Sequence, residues 1–128
     1  MNQKKLLNKK IVISAAADGI GWSIAQACMS NGAIVYVTDK NNDALDKISK
    51  HNLYEKQLFI DRVNTNDAQE VENYYIKIKD KIESIDALIN NVGIAGPTGK
   101  LEELNINDWK ETIDININSH FYYTKCAI

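Results

Sequence analysis

The sequence predicts an α/β fold, a doubly wound parallel sheet. Three observations point there. Short β-branched runs alternate with helix-period segments along the chain, and strands alternating with helices make βαβ units. A turn of small residues joins the first run to the first helical segment. An Asp closes the second run about 20 residues after that turn. No repeat, low-complexity tract or linker interrupts the pattern, and 128 residues are enough for one domain, taken as 1–128.

Lys10 to Ser14 (KIVIS) reads as the first strand. Gly19 to Asn31 reads as a helix with Ile20, Ile24 and Cys28 on one face, stopped by Gly32. Ala33 to Asp39 (AIVYVTD) is the second strand, and Asp43 to Lys50 a short helix with Leu45 and Ile48. Gln57 to Asp61 is the third strand. Asp67 to Glu83 is a helix with Val71, Tyr74, Tyr75, Ile78 and Ile82 inward. Ile85 to Asn90 (IDALIN) is the fourth strand, and Gly93 to Lys100, with three Gly and the only Pro, is a loop. From about Asn107 an amphipathic helix runs to the end through Trp109, Ile113, Ile117 and Phe121.

Right-handed crossovers place the strands in the order 3-2-1-4. The fourth strand is then an edge, which is odd for an apolar run such as Ala87-Leu88-Ile89, because bare edges invite pairing. The sheet reads as truncated after the fourth strand and the helix beyond it.

Composition excludes several classes. A net charge of −2, with Arg62 the single arginine and the lysines spread along the chain, gives no nucleic-acid footprint. No run approaches a membrane span, and none of signal-peptide length comes after the basic start. Cys28 and Cys126 lack metal-type spacing and read as two reduced, buried thiols of a cytoplasmic protein. His51 reads as solvated. His120 has no Cys or Asp at ligand spacing, so no metal site is expected. Phe121-Tyr122-Tyr123 reads as packing surface, and Trp22 as either a subunit contact or a neighbour of a ligand.

The first turn, Ser14-Ala15-Ala16-Ala17-Asp18-Gly19-Ile20-Gly21, comes after a strand and opens a helix. That context can bring a pyrophosphate against backbone N–H groups at a helix N-terminus. Small side chains let phosphates approach, and Gly21 lets the helix pack closely on the strand. A tight βα turn of some other α/β protein is the plain alternative. Asp39 can accept hydrogen bonds from adenosine ribose hydroxyls; it can also cap the next helix.

Together these residues resemble the short-chain dehydrogenase/reductase family, whose first motif is Thr-Gly-x-x-x-Gly-x-Gly. Ser14 stands in place of Thr and Ala15 in place of the first Gly. If that position needs a positive φ, Ala costs about 1 kcal/mol or more. Asp61 falls where the family has an acidic residue near the adenine amino group, although Arg62 replaces the usual aliphatic neighbour. Asn90-Asn91-Val92-Gly93 is similar to the family's Asn-Asn-Ala-Gly motif. The segments Gly93-Ile-Ala-Gly-Pro-Thr-Gly99, Leu101-Glu-Glu-Leu and Trp109 are also in keeping. Asn116, in Asp114-Ile-Asn-Ile-Asn118, matches the Asn that helps anchor a proton-relay water.

The resemblance implies a Rossmann-like sheet and bound NAD. Ser14, Ala15, Ala17, Asp18, Gly19, Ile20, Gly21, Asp39, Asp61, Arg62, Asn90, Asn91, Val92 and Gly93 would line its site, and Asn116 would take the one catalytic part. It also implies a small alcohol or ketone substrate for a full-length parent, and a homo-oligomer. The family's catalytic Ser, Tyr and Lys would lie beyond the last helix read here. Tyr36 with Lys40 and Tyr75 with Lys79 repeat the Tyr-x-x-x-Lys spacing at places unsuited to the reaction, and Tyr122 and Lys125 are one residue too close. The expected protein is therefore the cofactor-binding part of an NAD-dependent oxidoreductase. A non-catalytic nucleotide- or partner-binding module and a degraded gene product are the alternatives.

Overall fold

β1 (Lys10–Ser14), β2 (Ile34–Asp39), β3 (Leu58–Arg62) and β4 (Ala87–Ile89) form one sheet in a computed structural model that describes residues 4–128. Every neighbouring pair is parallel and the order is β3-β2-β1-β4, as the crossover rule predicts. In register, Val12 lies between Tyr36 of β2 and Leu88 of β4.

Alternate residues face opposite sides of a strand, so each strand feeds two cores. Ile11, Ile13, Val35, Val37 and Leu58 pack on one side, beneath α1 (Gly19–Ser30) and α2 (Asn42–Ile48). Val12 and Tyr36 pack on the other, against α3 (Ala68–Lys79) and the last helix. The β-branched runs are apolar at both parities because both faces are covered.

α1 buries a different stripe from the one its large residues suggest. Gly21, Ala25 and Met29 face the sheet, Ile24 and Cys28 are half-buried, and Ile20 is 76% exposed. Small residues at 21 and 25 let the helix backbone approach the strands, and that close approach sets the rotation. Cys28 and Cys126 are half-buried free thiols, less buried than expected. α3 behaves as its pattern requires: Val71, Tyr74, Tyr75 and Ile78 are buried, and so is Ile82 just past its end. Asp67 caps it by accepting from the N–H groups of Gln69 and Glu70.

The single amphipathic helix expected at the end is three pieces in succession. α4 (Ile106–Ile113) runs into a π turn, Asp114–Asn118, and on into α5 (Ser119–Ala127). Within the turn the Ser119 N–H donates to the Asp114 carbonyl, five residues back. A π turn takes up an extra residue, so the faces before and after it fall out of phase. The apolar stripe read from sequence does not face the core: Trp109, Ile117 and Phe121 are 52%, 57% and 62% exposed, and Ile113 is half-buried. Ile115, Ser119 and Tyr123 are buried instead. The Tyr123 hydroxyl shares a 2.6 Å hydrogen bond with the Thr38 hydroxyl of β2, and neither residue is exposed. Buried hydroxyls need partners, so this pair fixes which side of α5 faces the sheet.

Tyr75 and Tyr123 meet edge to face at 5.8 Å, joining α3 to α5. The Tyr75 hydroxyl is buried without any hydrogen-bond partner among the described residues. Leaving such a group unsatisfied costs about 1–3 kcal/mol, so Tyr75→Phe should raise stability by about 1 kcal/mol in urea unfolding at neutral pH. Burial, the main cause at each, pushes the Tyr74, Tyr75 and Tyr123 hydroxyls above the usual phenol range. Folded pKa values raised above the unfolded ones mean that stability is intact below about pH 10 and falls as pH rises beyond it. The urea midpoint should fall above that pH, and less steeply in Tyr75→Phe.

Candidate cofactor-binding site

The carboxyl ends of the strands converge on two irregular loops, and Ser14 joins them. Its hydroxyl, at the end of β1, is fully buried and accepts from the N–H groups of Asn91 at 3.0 Å and Val92 at 3.3 Å. The Asn91 amide returns a bond to the Ala15 carbonyl at 3.0 Å. β2 holds the other side of the first loop. Ala16 N–H donates to the Thr38 carbonyl at 3.1 Å, and Ala17 N–H to Asp39 Oδ2 at 3.1 Å.

Ala15 has φ +53, in the left-handed region where Gly is the easy choice. The strain expected of an Ala at this position is therefore present. Gly19 also has a positive φ, +59, and a Cβ built there meets nothing within 4 Å. Gly21 is the opposite case. A Cβ there would lie 2.5 Å from Asn91 Nδ2 and 2.8 Å from Ala16 Cα, so only Gly lets α1 sit this close to both loops.

Asp18 caps α1 by accepting from Gly19 N–H at 2.8 Å. The N–H groups of Ile20 and Gly21 have no acceptor among the described residues, as first-turn donors normally lack one. Free donors, small side chains and open space above Gly19 fit the diphosphate of a dinucleotide. The Asp18 carboxylate at the same helix end opposes it.

Asp39 is half-buried at the end of β2. Its Oδ1 accepts from Asn41 N–H at 3.0 Å while Oδ2 holds Ala17. It thus braces the turn, and a carboxylate with about four lone-pair sites retains acceptor capacity for a ligand. Beside it lies a cleft of about 140 Å³ that brings Ala15, Asp39, Val92 and Gly93 together. Lys40, Asn64 and Thr65 line it too, and sequence reasoning missed Asn64 and Thr65.

Asp61 and Arg62, expected here, are elsewhere. Asp61 pairs with Lys77 of α3, and Arg62 with Glu70 at 3.6 Å. For Asp61 the reason is strand alternation. Asp61 is in register with Thr38 and shares its face, toward α3. β3 runs one residue longer than expected, through Arg62, so the loop that enters the cleft begins at Val63. Ending the strand at Arg62 instead of Asp61 would have brought Asn64 and Thr65 into the loop that borders the cleft.

Asn90 also turns from the cleft and donates to Thr124 Oγ1 of α5 at 3.1 Å. Asn116, in the π turn, uses its whole amide on one neighbour: Oδ1 accepts from Ile94 N–H and Nδ2 donates to the Ile94 carbonyl, each at 2.8 Å. His120, which has no Cys or Asp at ligand spacing in the sequence, contacts the Val92 carbonyl at 2.9 Å. His51 is not simply solvated either: its Nδ1 accepts from Leu53 N–H at 3.1 Å, and its ring meets that of Trp22 edge to face at 5.6 Å.

Neither Tyr of the two Tyr-x-x-x-Lys pairs lines the cleft, although Lys40 of the first pair does. Tyr36 is buried and stacked on Phe59. Tyr75 lines a larger cavity, about 470 Å³, between α3 and the end of α5 near the amino end of β4. Ligands of open α/β sheets bind outside the carboxyl ends of the strands, so the smaller cleft is the candidate site. Among the described residues no group of three or more His, Cys, Asp or Glu side chains could hold a metal, and no helix is long and apolar enough to cross a membrane.

The fold is a doubly wound α/β fold whose first βα turn and acidic strand end border one cleft. A family model described as short chain dehydrogenase matches residues 9–128, and the chain belongs to that family. It is 29% identical to meso-2,3-butanediol dehydrogenase of Serratia marcescens over 94% of this chain and 47% of that enzyme. It is 30% identical to the mouse 3-ketodihydrosphingosine reductase over 92% of this chain and 37% of the reductase. A crystal structure of a short-chain dehydrogenase/reductase described as glucose/ribitol dehydrogenase from Brucella melitensis superposes with TM-score 0.88 at 25% identity, covering 98% of this chain and 53% of that one. ElxO with NADP bound gives TM-score 0.85 at 26% identity, covering 94% and 49%. The chain spans about half the length of the curated relatives it matches.

Two substitutions test the turn. Ala15→Gly should relieve the left-handed strain and, after the added freedom of the unfolded chain, raise stability by up to about 1 kcal/mol. Gly21→Ala should lower it by about 2 kcal/mol or more, because backbone lies in the way. Both are read from urea midpoints.

Proposed function

We propose that this chain holds NAD(H) in the crevice at the carboxyl ends of its strands, as the cofactor-binding part of an oxidoreductase acting on a small alcohol or ketone. The Asp39 carboxylate carries the reading: it borders the same cleft as Ala15 and Gly93, with spare acceptor capacity for ribose hydroxyls. The free N–H groups of Ile20 and Gly21 take the diphosphate. Asn64 and Thr65 border the adenosine side in place of Asp61. Asn116 contributes by fixing Ile94 at the rim. The nicotinamide, when bound, supplies the hydride chemistry.

The preference for NAD over NADP rests on this chain's own charges. Asp39 would face a 2′-phosphate and Asp18 lies in the same turn, whereas Lys40 is the one cation lining the cleft among the described residues. A like charge at close range costs about 1 kcal/mol in water and several where water is excluded. The outward stripe of Trp109, Ile117 and Phe121 supports a homo-oligomer as the working form.

Titrating the chain with NADH and NADPH tests the assignment. NADH should bind tighter. Asp39→Asn keeps an acceptor for Ala17 N–H but removes the charge, and should weaken NADH roughly ten-fold while narrowing the gap to NADPH. Equal or tighter NADPH binding by the unmodified chain would sink the preference.

A further inference from the structure

We propose that His120 is a positioning residue for the cofactor, holding the Val92 carbonyl so that the peptide groups of Gly93 face the cleft; this rests on the dinucleotide reading above. The segment 91–94 leaves β4 and loses the strand ladder, so its backbone groups need other partners. Side chains from three elements provide them. Ser14 of β1 takes the N–H groups of Asn91 and Val92, and Asn116 of the π turn takes both polar groups of Ile94. His120 of α5 takes the Val92 carbonyl across 28 residues of chain.

Between these ties, the Gly93 N–H and C=O have no partner among the described residues, and Gly93 is exposed in the cleft. Its backbone is therefore left to a ligand while its neighbours on both sides are fixed. A Cβ at Gly93 would sit 3.4 Å from Asn116 Oδ1, so the peptide plane also lies close against the π turn.

The chemistry of the tie is defined. A carbonyl only accepts, so His120 Nε2 must carry the proton. His120 is half-buried beside the loop and lies on the helix that Tyr123 anchors to β2. The ring thus transfers the fixed position of α5 to a loop that has no strand partner. Without it, Val92 is held only through its N–H, and the 92–93 peptide can rotate.

The test compares His120→Leu, which keeps bulk but has no donor, with His120→Gln, whose amide nitrogen has similar reach to Nε2. NADH affinity is measured by fluorescence titration, thermal midpoints are recorded alongside, and amide exchange is followed at Val92, Gly93 and Ile94. His120→Leu should weaken NADH binding about three- to ten-fold. It should speed exchange at the bonded Val92 and Ile94 amides, while the unpartnered Gly93 amide and the amides along β1 and β2 exchange as before. His120→Gln should recover most of the affinity. If the two variants bind equally weakly, or if His120→Leu binds like the unmodified chain, the positioning role is overturned and the dinucleotide reading stands. An unmodified chain that fails to bind NADH overturns both.

Discussion

The Ser14 hydroxyl is the point on which the rest of the site depends. β4 is three residues long and outermost in its sheet, so its own ladder does little to place the loop that leaves it. A buried hydroxyl that accepts two backbone N–H groups, with the Asn91 amide returning a bond to Ala15, locks the loop after β4 to the loop after β1. Each bond satisfies a group that would otherwise be buried or left over at a strand end. Gly21 then seats α1 against the junction, where any side chain would collide with Asn91. A Thr in place of Ser14 keeps the same acceptor, which is why that departure from the family motif matters little.

The first turn carries strain for this arrangement. Ala15 sits in the left-handed region, and the surrounding hydrogen bonds from Asn91, Thr38 and Asp39 hold the turn there. Strain that persists because its surroundings over-determine it is typical of sites that must be rigid before a ligand arrives. Asp39 serves several ends at once. One carboxylate supports Ala17, accepts from Asn41 and presents charge to the cleft, so the charge of the cleft and the geometry of the turn are coupled through a single side chain.

The far side of the sheet has its own organising contact. Thr38 points into the core opposite to the one Asp39 borders, and its bond to Tyr123 sets the rotation of α5. That rotation brings His120 to Val92 and Thr124 to Asn90. The π turn is what allows α4 and α5 to present different faces, so the loop after β4 is gripped from the turn and from the helix beyond it.

The sequence by itself determined the architecture. The alternation of β-branched runs with helical periods gave four parallel strands in their order, because each run is apolar enough to be covered on both faces and each connection is long enough to cross over. Local spacing along the chain also marked the first turn and Asp39, while the loop Asn91–Gly93 was marked by its resemblance to the family motif. Tertiary structure decided the rest. Whether Asp61 faces a ligand or Lys77 depends on strand phase and on where β3 ends. Whether Ile20 is inside or Gly21 is depends on how closely a helix can approach a strand. Which face of the last helix is buried depends on a π turn that shifts the period and on a hydroxyl pair between residues 85 apart. At these positions burial and partnership are set by packing between distant residues, which the local pattern does not encode.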